Sequence, residues 1–244
     1  MTLAIIGGTG LSQIEQLQIL SHQQIDTPFG ATSAPLLRAE LQGKPVIFLA
    51  RHGNPHRIPP HKINYRANIW ALKQAGVSEI LAVAAVGGIS PAMKPAVIAI
   101  PDQIIDYSYG REQSFFSDDL EHVTHIDFSF PYTEQLRQRL IAAAATANIE
   151  IITQATYACT QGPRLETAAE IKRLGQDGCD LVGMTGMPEA ALARELGIDY
   201  ANVSVVANWG AGILSTEITM AEIEENLKIG MTNAIRLLKQ TILF

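Results

Sequence analysis

The feature that most constrains this fold is the alternation of short apolar runs with longer stretches of helical periodicity. The runs predict strands at residues 3–6, 45–50, 79–86, 97–100, 154–159, 181–184 and 201–206. Several are apolar on both faces, which is typical of strands buried inside a sheet. The periodic stretches predict helices at residues 64–75, 133–147, 168–174, 188–196 and 220–240. We therefore expect an α/β fold, with a central mixed β-sheet flanked by helices, in one domain covering residues 1–244.

Local signals refine this outline. Capping boxes, Thr167-x-x-Glu170 and Thr219-x-x-Glu222, predict the starts of two helices. Proline and glycine cluster in residues 53–60 and predict a loop. Residues 106–127 lack periodicity, so we expect a long excursion that carries function or contacts a neighbouring subunit.

Composition excludes several functional classes. Hydrophobic residues make up 47% of the chain and charged ones 17%, which excludes disorder. A net charge of −6 argues against a nucleic-acid binder, and the absence of a long apolar run argues against a membrane partner. Cys159 and Cys179, the only cysteines, suggest neither a disulfide scaffold nor a zinc site. With no signal peptide in the opening residues, we expect a cytoplasmic protein.

The first candidate site is the glycine turn GGTG, which follows the first predicted strand. Glycine lets backbone N–H groups approach an anion closely, and the hydroxyl of Thr9 adds a donor. The turn also resembles the opening of a dinucleotide-binding fingerprint, but Gln13 stands where the third glycine belongs. A strand-to-loop turn without a ligand is the third interpretation.

Two further segments combine anion-binding groups. Arg51 and His52 follow a predicted strand, and a guanidinium fork suits phosphate. Thr185 lies between a strand and a helix, where free N–H groups favour anions. A surface pair and an ordinary strand–helix junction are the alternatives. His52, His56 and His61 do not predict a metal site, because they lie in a proline-rich loop without a carboxylate or cysteine.

Taken in order, several blocks make a specific resemblance: GGTGL, LARHG, NYRANIWAL, DQIID, QSFF, QGPRLET, MTGMPEA and the turn at Asn208. Nearly the whole chain resembles the purine nucleoside phosphorylase and methylthioadenosine phosphorylase family. The resemblance implies a homotrimer built on a mixed sheet, with inorganic phosphate as co-substrate and no metal or other cofactor.

The same resemblance implies roles for individual residues. The implied phosphate site consists of Thr9, Arg51, His52, the backbone of Ala85, and Thr185. Ala84 departs from a family threonine and removes one hydroxyl contact. For the nucleoside, the implied contacts are Met184 on the ribose, Leu165 on the base face where the family often has an aromatic residue, and His125 in the 5′ pocket of a neighbouring subunit.

Departures near the base indicate which purine is bound. The methylthioadenosine enzymes that this chain resembles have Thr-Asp-Tyr-Asp at the position where this chain has Ala-Asn208-Trp-Gly210. Both acidic residues of that sequence are therefore missing here. Asn208 can donate to O6 and accept from N7–H of a 6-oxopurine, while Glu166 accepts from N1–H. Adenine would place its N1 lone pair against the Glu166 carboxylate, which is unfavourable. We therefore expect hypoxanthine as the base, with guanine as a further possibility.

Met220 indicates which group the nucleoside carries at its 5′ position. By the family resemblance, inosine and guanosine phosphorylases have a histidine at this position. A thioether suits a methylthio group better than a hydroxyl, although helix packing is the alternative. These features predict phosphorolysis of 5′-methylthioinosine to hypoxanthine and 5-methylthioribose 1-phosphate. The rivals are an inosine/guanosine phosphorylase, a methylthioadenosine phosphorylase, a dinucleotide-dependent oxidoreductase, and a catalytically silent nucleoside-binding module.

Overall fold

The computed structural model describes residues 2–8, 11, 17–117 and 121–244. The strands are β1 (Thr2–Gly7), β2 (Gln18–Gln23), β3 (Leu36–Leu41), β4 (Lys44–Ala50), β5 (Val77–Gly88), β6 (Ile98–Ala99), β7 (Gln103–Asp106), β8 (Ile151–Ile152), β9 (Thr156–Cys159), β10 (Leu181–Gly183) and β11 (Asp199–Trp209). The helices are α1 (Tyr65–Gln74), α2 (Glu134–Thr146), α3 (Ala168–Gln176), α4 (Gly186–Glu195) and α5 (Met220–Thr241). Within these ranges, no helix is long and apolar enough to cross a membrane.

The strands form one mixed sheet in the order β2-β3-β4-β1-β5-β10-β9-β7. The centre is parallel: β1 pairs with β4 and β5, and β11 pairs with β5. Strand β10 runs antiparallel to β5 but parallel to β9. Strand β6 pairs antiparallel with β11 and parallel with β8. The predicted α/β fold with a central mixed sheet is confirmed.

Neighbouring residues of β5 show how the sheet divides the core. Ile80 packs into the apolar cluster that contains the inner faces of α1 and α4, while Leu81 packs into the cluster that contains those of α2 and α5. The alternation follows from the strand pleat, which turns successive side chains to opposite faces. Both side chains are fully buried, as are most residues of β5 and β11. Helices therefore cover both faces of the central strands.

Every strand and helix predicted above is present, with ends shifted by a few residues. Strands β2, β3, β7 and β8 were not predicted. Strand β2 lies at the sheet margin with five exposed positions out of six, so its sequence shows no apolar face. The described part of residues 107–127 contains neither helix nor strand, in agreement with the predicted excursion.

The predicted starts of helices α3 and α5 are confirmed. Thr167 and Glu170 form the reciprocal capping box of α3. At α5, the Thr219 hydroxyl accepts the Glu222 N–H at 3.3 Å, which is one half of the second predicted box. Such caps satisfy N–H groups that the helix itself leaves without partners.

Candidate active site

A cavity of about 550 Å³ lies where β1, β4, β5 and β11 reach their carboxyl ends. This volume is in the range of small-molecule sites. It also lies where ligands bind in open α/β sheets, outside the carboxyl ends of parallel strands. Its wall includes residues 83–87 of β5, residues 182–185 at the end of β10, Arg51, His52, Leu165, Glu166, Asn208, Gly210 and one face of α5.

Arg51 lies at the inner end of this cavity and is only 2% exposed. Its Nε and Nη2 donate to Glu189 at 2.7 and 2.8 Å, and its Nη1 donates to the Val83 carbonyl at 2.9 Å. Glu189 is itself 1% exposed. A buried cation needs such a partner, because desolvating an unpaired charge is costly. The guanidinium fork that the sequence suggested for phosphate is therefore occupied by Glu189, which leaves one N–H on each terminal nitrogen.

Tyr200 extends this network. Its hydroxyl donates to Glu189 Oε1 at 2.9 Å, and its ring stacks on Tyr132 at 6.1 Å between centroids. Burial, and then the neighbouring carboxylate of Glu189, raises the pKa of Tyr200 well above its usual value. The hydroxyl therefore stays protonated and continues to donate. One helix, α4, and two strands, β5 and β11, thus hold the orientation of Arg51.

His52 lines the cavity as a neutral imidazole. Its Nδ1 lies 2.8 Å from the Ile58 carbonyl, and since a carbonyl only accepts, Nδ1 carries the proton. Burial, and then the charge of Arg51, lowers the pKa of His52 to about 4. The ring stacks on His56 at 4.2 Å. At neutral pH the remaining nitrogen, Nε2, therefore has a lone pair and accepts hydrogen bonds.

The other predicted phosphate residues are partly described. Thr185 is 6% exposed, lies at the N-cap of α4 and makes no side-chain capping hydrogen bond. Ala84 and Ala85 both line the cavity. Thr9 lies outside the described residues, while its neighbour Gly8 is part of the wall. Arg51, His52, Ala85 and Thr185 are thus brought to one cavity, as the sequence predicted.

Asn208 and Glu166 lie in the wall of the same cavity. Asn208 is 8% exposed and follows an irregularity in the pairing of β11 with β5. Its Nδ2 donates to the Trp209 carbonyl at 2.7 Å, which leaves one N–H and the amide oxygen for a ligand. Thr160 donates its hydroxyl hydrogen to Glu166 Oε1 at 2.6 Å. A carboxylate has further acceptor sites, so Glu166 can still accept from a ligand.

Among the remaining predicted residues, Met184 and Gly210 line the cavity, and so does Leu165, which is 46% exposed. Met220 does not line it and is 66% exposed. Met220 is the first residue of α5. It lies on the same helix face as the residues of the following turns that line the cavity. The apolar surface expected of Met220 comes instead from Ile218, Ile223, Leu227 and Met231. His125 is exposed and lies outside the cavity of its own chain.

The sequence reasoning missed Glu189, Tyr200 and Arg111, which hold site residues without lining the cavity. An acid inside the MTGMPEA block, beside a buried arginine, was the available signal for Glu189. Nothing in the sequence indicates the contacts of Arg111. Within the described residues, no group of three or more His, Cys, Asp or Glu could hold a metal ion.

Comparison with known proteins places the chain in a family. A model of the phosphorylase superfamily matches residues 2–243. The chain belongs to this superfamily. A probable S-methyl-5′-thioinosine phosphorylase from Pseudomonas syringae is 59% identical over 228 residues, covering 93% of each chain. A probable 6-oxopurine nucleoside phosphorylase from Thermococcus kodakarensis is 44% identical over 241 residues, covering 97% of this chain and 89% of the other.

A solved structure of a phosphorylase has the same fold as this chain. Methylthioadenosine phosphorylase from Schistosoma mansoni in complex with adenine superimposes with a TM-score of 0.94 and is 29% identical. The superposition covers 100% of this chain and 91% of that protein. The two proteins therefore share the same fold over the superimposed residues.

Proposed function

We propose that the protein catalyses phosphorolysis of S-methyl-5′-thioinosine to hypoxanthine and 5-methylthioribose 1-phosphate, as a pentosyltransferase that uses inorganic phosphate and no other cofactor. One observation carries the proposal: a single cavity joins the two free N–H groups of Arg51 at one end to an amide–carboxylate pair, Asn208 and Glu166, at the other. The first arrangement suits an oxyanion and the second suits a keto purine. The name of the Pseudomonas syringae relative supports this substrate.

At the inner end, phosphate receives hydrogen bonds from the two free N–H groups of Arg51 and from the hydroxyl of Thr185. The lone pair of His52 Nε2 accepts a phosphate O–H, because Nδ1–H is already bound to Ile58. We place Thr9 in the same site, although it lies outside the described residues. Held in this way, phosphate faces the anomeric carbon, and positioning replaces a bimolecular encounter.

At the base end, the bond between C1′ and N9 lengthens as phosphate approaches. The sugar gains positive charge that the phosphate anion stabilises, and the purine gains negative charge. Asn208 stabilises that negative charge by donating its free N–H to O6. As the departing purine anion takes a proton from water at N7, the amide oxygen of Asn208 accepts from the new N7–H, and neutral hypoxanthine leaves while a phosphate oxygen bonds to C1′. Glu166, held by Thr160, accepts from N1–H. Adenine has no N1–H, so it leaves this carboxylate without a donor and is rejected.

On the side of the cavity formed by α5 and the residues before it, which we take as the outer end, Ile218, Ile223, Leu227 and Met231 form an apolar wall beside Glu224 and Lys228. The apolar part of this wall suits a methylthio group. Neither Met220 nor His125 lines the cavity within one chain. Both are consistent with a homotrimer in which a neighbouring subunit supplies His125 to the 5′ pocket. We also propose a single domain spanning residues 1–244 and a cytoplasmic location, on the composition and continuity described above.

The direct test is release of free hypoxanthine from methylthioinosine with and without phosphate. We expect release only with phosphate, and a higher kcat/KM for methylthioinosine than for inosine or methylthioadenosine. Preference for inosine or guanosine would favour a 6-oxopurine nucleoside phosphorylase, as the Thermococcus relative is named. Nucleoside binding without base release would indicate a silent module and overturn the proposal.

The leaving-group role of Asn208 has its own test. Asn208→Ala should lower kcat/KM by about 100-fold, as for loss of one oxyanion donor. Asn233→Ala, on α5 and outside the cavity wall, is the matched control and should retain activity. An unchanged rate in Asn208→Ala would remove this residue from the mechanism.

A further inference from the structure

Arg111 lies in the loop that follows β7 and contacts two segments that carry active-site residues. The first segment follows β9: Nη2 donates to the carbonyls of Thr160 and Gln161 at 3.1 and 2.9 Å, and Nε donates to Gln161 Oε1 at 3.1 Å. The second segment joins β10 to α4: Nη1 donates to the carbonyls of Met184 and Met187 at 2.9 and 2.5 Å. One side chain therefore bridges the ends of two strands.

The hydrogen bonds of Arg111 use all the N–H groups of its guanidinium. A guanidinium has five N–H groups, and here five oxygens of the two segments accept them. Arg111 also lies 5.5 Å from the ring centroid of Tyr65, whose hydroxyl is 3.3 Å from Nη1. Arg111 has no N–H left for phosphate or nucleoside, and it does not line the cavity. Its contribution must therefore act through the segments it holds.

Each segment carries an active-site residue. The Thr160 hydroxyl donates to Glu166. The first segment therefore fixes the position of the carboxylate that we propose accepts from N1–H of the base. Met184 and Thr185 lie in the second segment, at the ribose and phosphate parts of the cavity wall. The spacing between the base contact and the phosphate contact therefore depends on how closely Arg111 draws these backbones together.

We propose that Arg111 is a positioning residue that sets the distance between the base-binding and the phosphate-binding halves of the active site. The proposal rests on the proposed function, because it assumes that both halves hold one nucleoside and one phosphate. Lysine cannot replace this arginine, since a single ammonium has three donors around one nitrogen and cannot span two segments. Small displacements of reacting groups have large kinetic effects, of about 100-fold for 1 Å.

The test compares Arg111→Met and Arg111→Lys with Arg139→Met. Arg139 is a partly buried arginine paired with Glu79, away from the cavity, and serves as the matched control. We expect both Arg111 variants to lose about 100-fold in kcat/KM for methylthioinosine. Their preference for methylthioinosine over methylthioadenosine should also fall, because Glu166 is displaced. Arg139→Met should keep both the rate and the preference.

A second measurement separates positioning from folding. In Arg111→Ala, added guanidinium at millimolar concentration should restore part of the lost rate, whereas it should not stimulate Arg139→Ala. A kcat/KM within about threefold of the parent in Arg111→Met, or losses equal to those of Arg139→Met at matched Tm, would overturn the proposal.

The parent enzyme separates the two hypotheses. If it cleaves inosine but not methylthioinosine, the proposed substrate is wrong and the Arg111 variants are judged on inosine, with the same expected losses. If the parent cleaves methylthioinosine and the Arg111 variants match it, only the positioning role fails. If the parent cleaves no nucleoside with phosphate, both proposals fail.

Discussion

The inner and outer ends of the cavity are built in opposite ways. At the inner end, Arg51 and Glu189 are 2% and 1% exposed and are joined by two hydrogen bonds. Beside the outer end, apolar side chains that precede or begin α5 and do not line the cavity remain exposed: Ile213 at 40%, Leu214 at 48% and Met220 at 66%. One end is complete within a single chain, and the other leaves apolar surface uncovered.

The difference follows from the interactions each end uses. A buried charge must be paired with good geometry before any ligand arrives, because an unpaired buried charge costs a large share of the net stability of a protein. Apolar contact is non-directional and scales with area, so a ligand or another subunit can complete it later. We therefore expect substitutions at the inner end to affect folding and phosphate together, and those at the outer end to affect substrate choice alone.

The largest effect is expected at the inner end. Glu189→Gln removes the charge that compensates Arg51, and breaking a buried pair costs about 3–5 kcal/mol of unfolding free energy. The KM for phosphate should rise as well, because the guanidinium is no longer oriented. Urea unfolding and phosphate titrations measure the two effects. Glu79→Gln breaks the more accessible pair with Arg139, at 12% and 26% exposure, and should cost less; equal losses would contradict the comparison.

An intermediate effect is expected at the outer end. Ile223→Ser places a hydroxyl in the apolar wall, and pocket changes of this size alter discrimination by about 10-fold or more. The ratio of kcat/KM for methylthioinosine to that for inosine should fall, with the KM for phosphate unchanged. Ile229→Ser, 52% exposed on the same helix and outside the wall, is the control. A changed phosphate KM in Ile223→Ser would show that the two ends are coupled.

The effect that is smallest near neutral pH is a pH dependence at the inner end. The folded pKa of His52 is about 4 against an ordinary 6.5, so the unfolded chain binds more protons between these values. The contribution of His52 to stability is therefore complete above about pH 6.5 and is lost as the pH falls towards 4. Urea unfolding from pH 4 to 7 should show a steeper pH dependence in the parent than in His52→Gln. The control His22→Gln, on exposed β2, should behave like the parent.

The sequence predicted the elements whose side chains are apolar throughout or follow a helical period. Strands β5 and β11 are such cases, since burial on both faces requires apolar residues at nearly every position. It failed for β2, because a marginal strand with exposed side chains has no apolar pattern. Arg51, His52 and Thr185 were predicted as anion ligands because charged or hydroxyl groups follow predicted strands, and all three line one cavity.

The sequence could not show which hydrogen bonds these side chains make within the protein. It indicated that Arg51 binds an anion, but not that Glu189, 138 residues later, takes the guanidinium fork. It indicated a role for His52, but the Ile58 carbonyl decides which nitrogen carries the proton. Neither hydrogen bond leaves a local pattern, because it depends on the approach of segments that are distant or irregular along the chain.

By itself, then, the amino-acid order determined the layered α/β arrangement and the chemical types at the strand ends, since periodicity and residue type are local properties. Only the tertiary structure decided that Ile223 rather than Met220 faces the cavity and that Arg111 ties two strand ends together. The reason is physical: hydrogen bonds and shape complementarity depend on distances between segments, and those distances exist only after the sheet has formed.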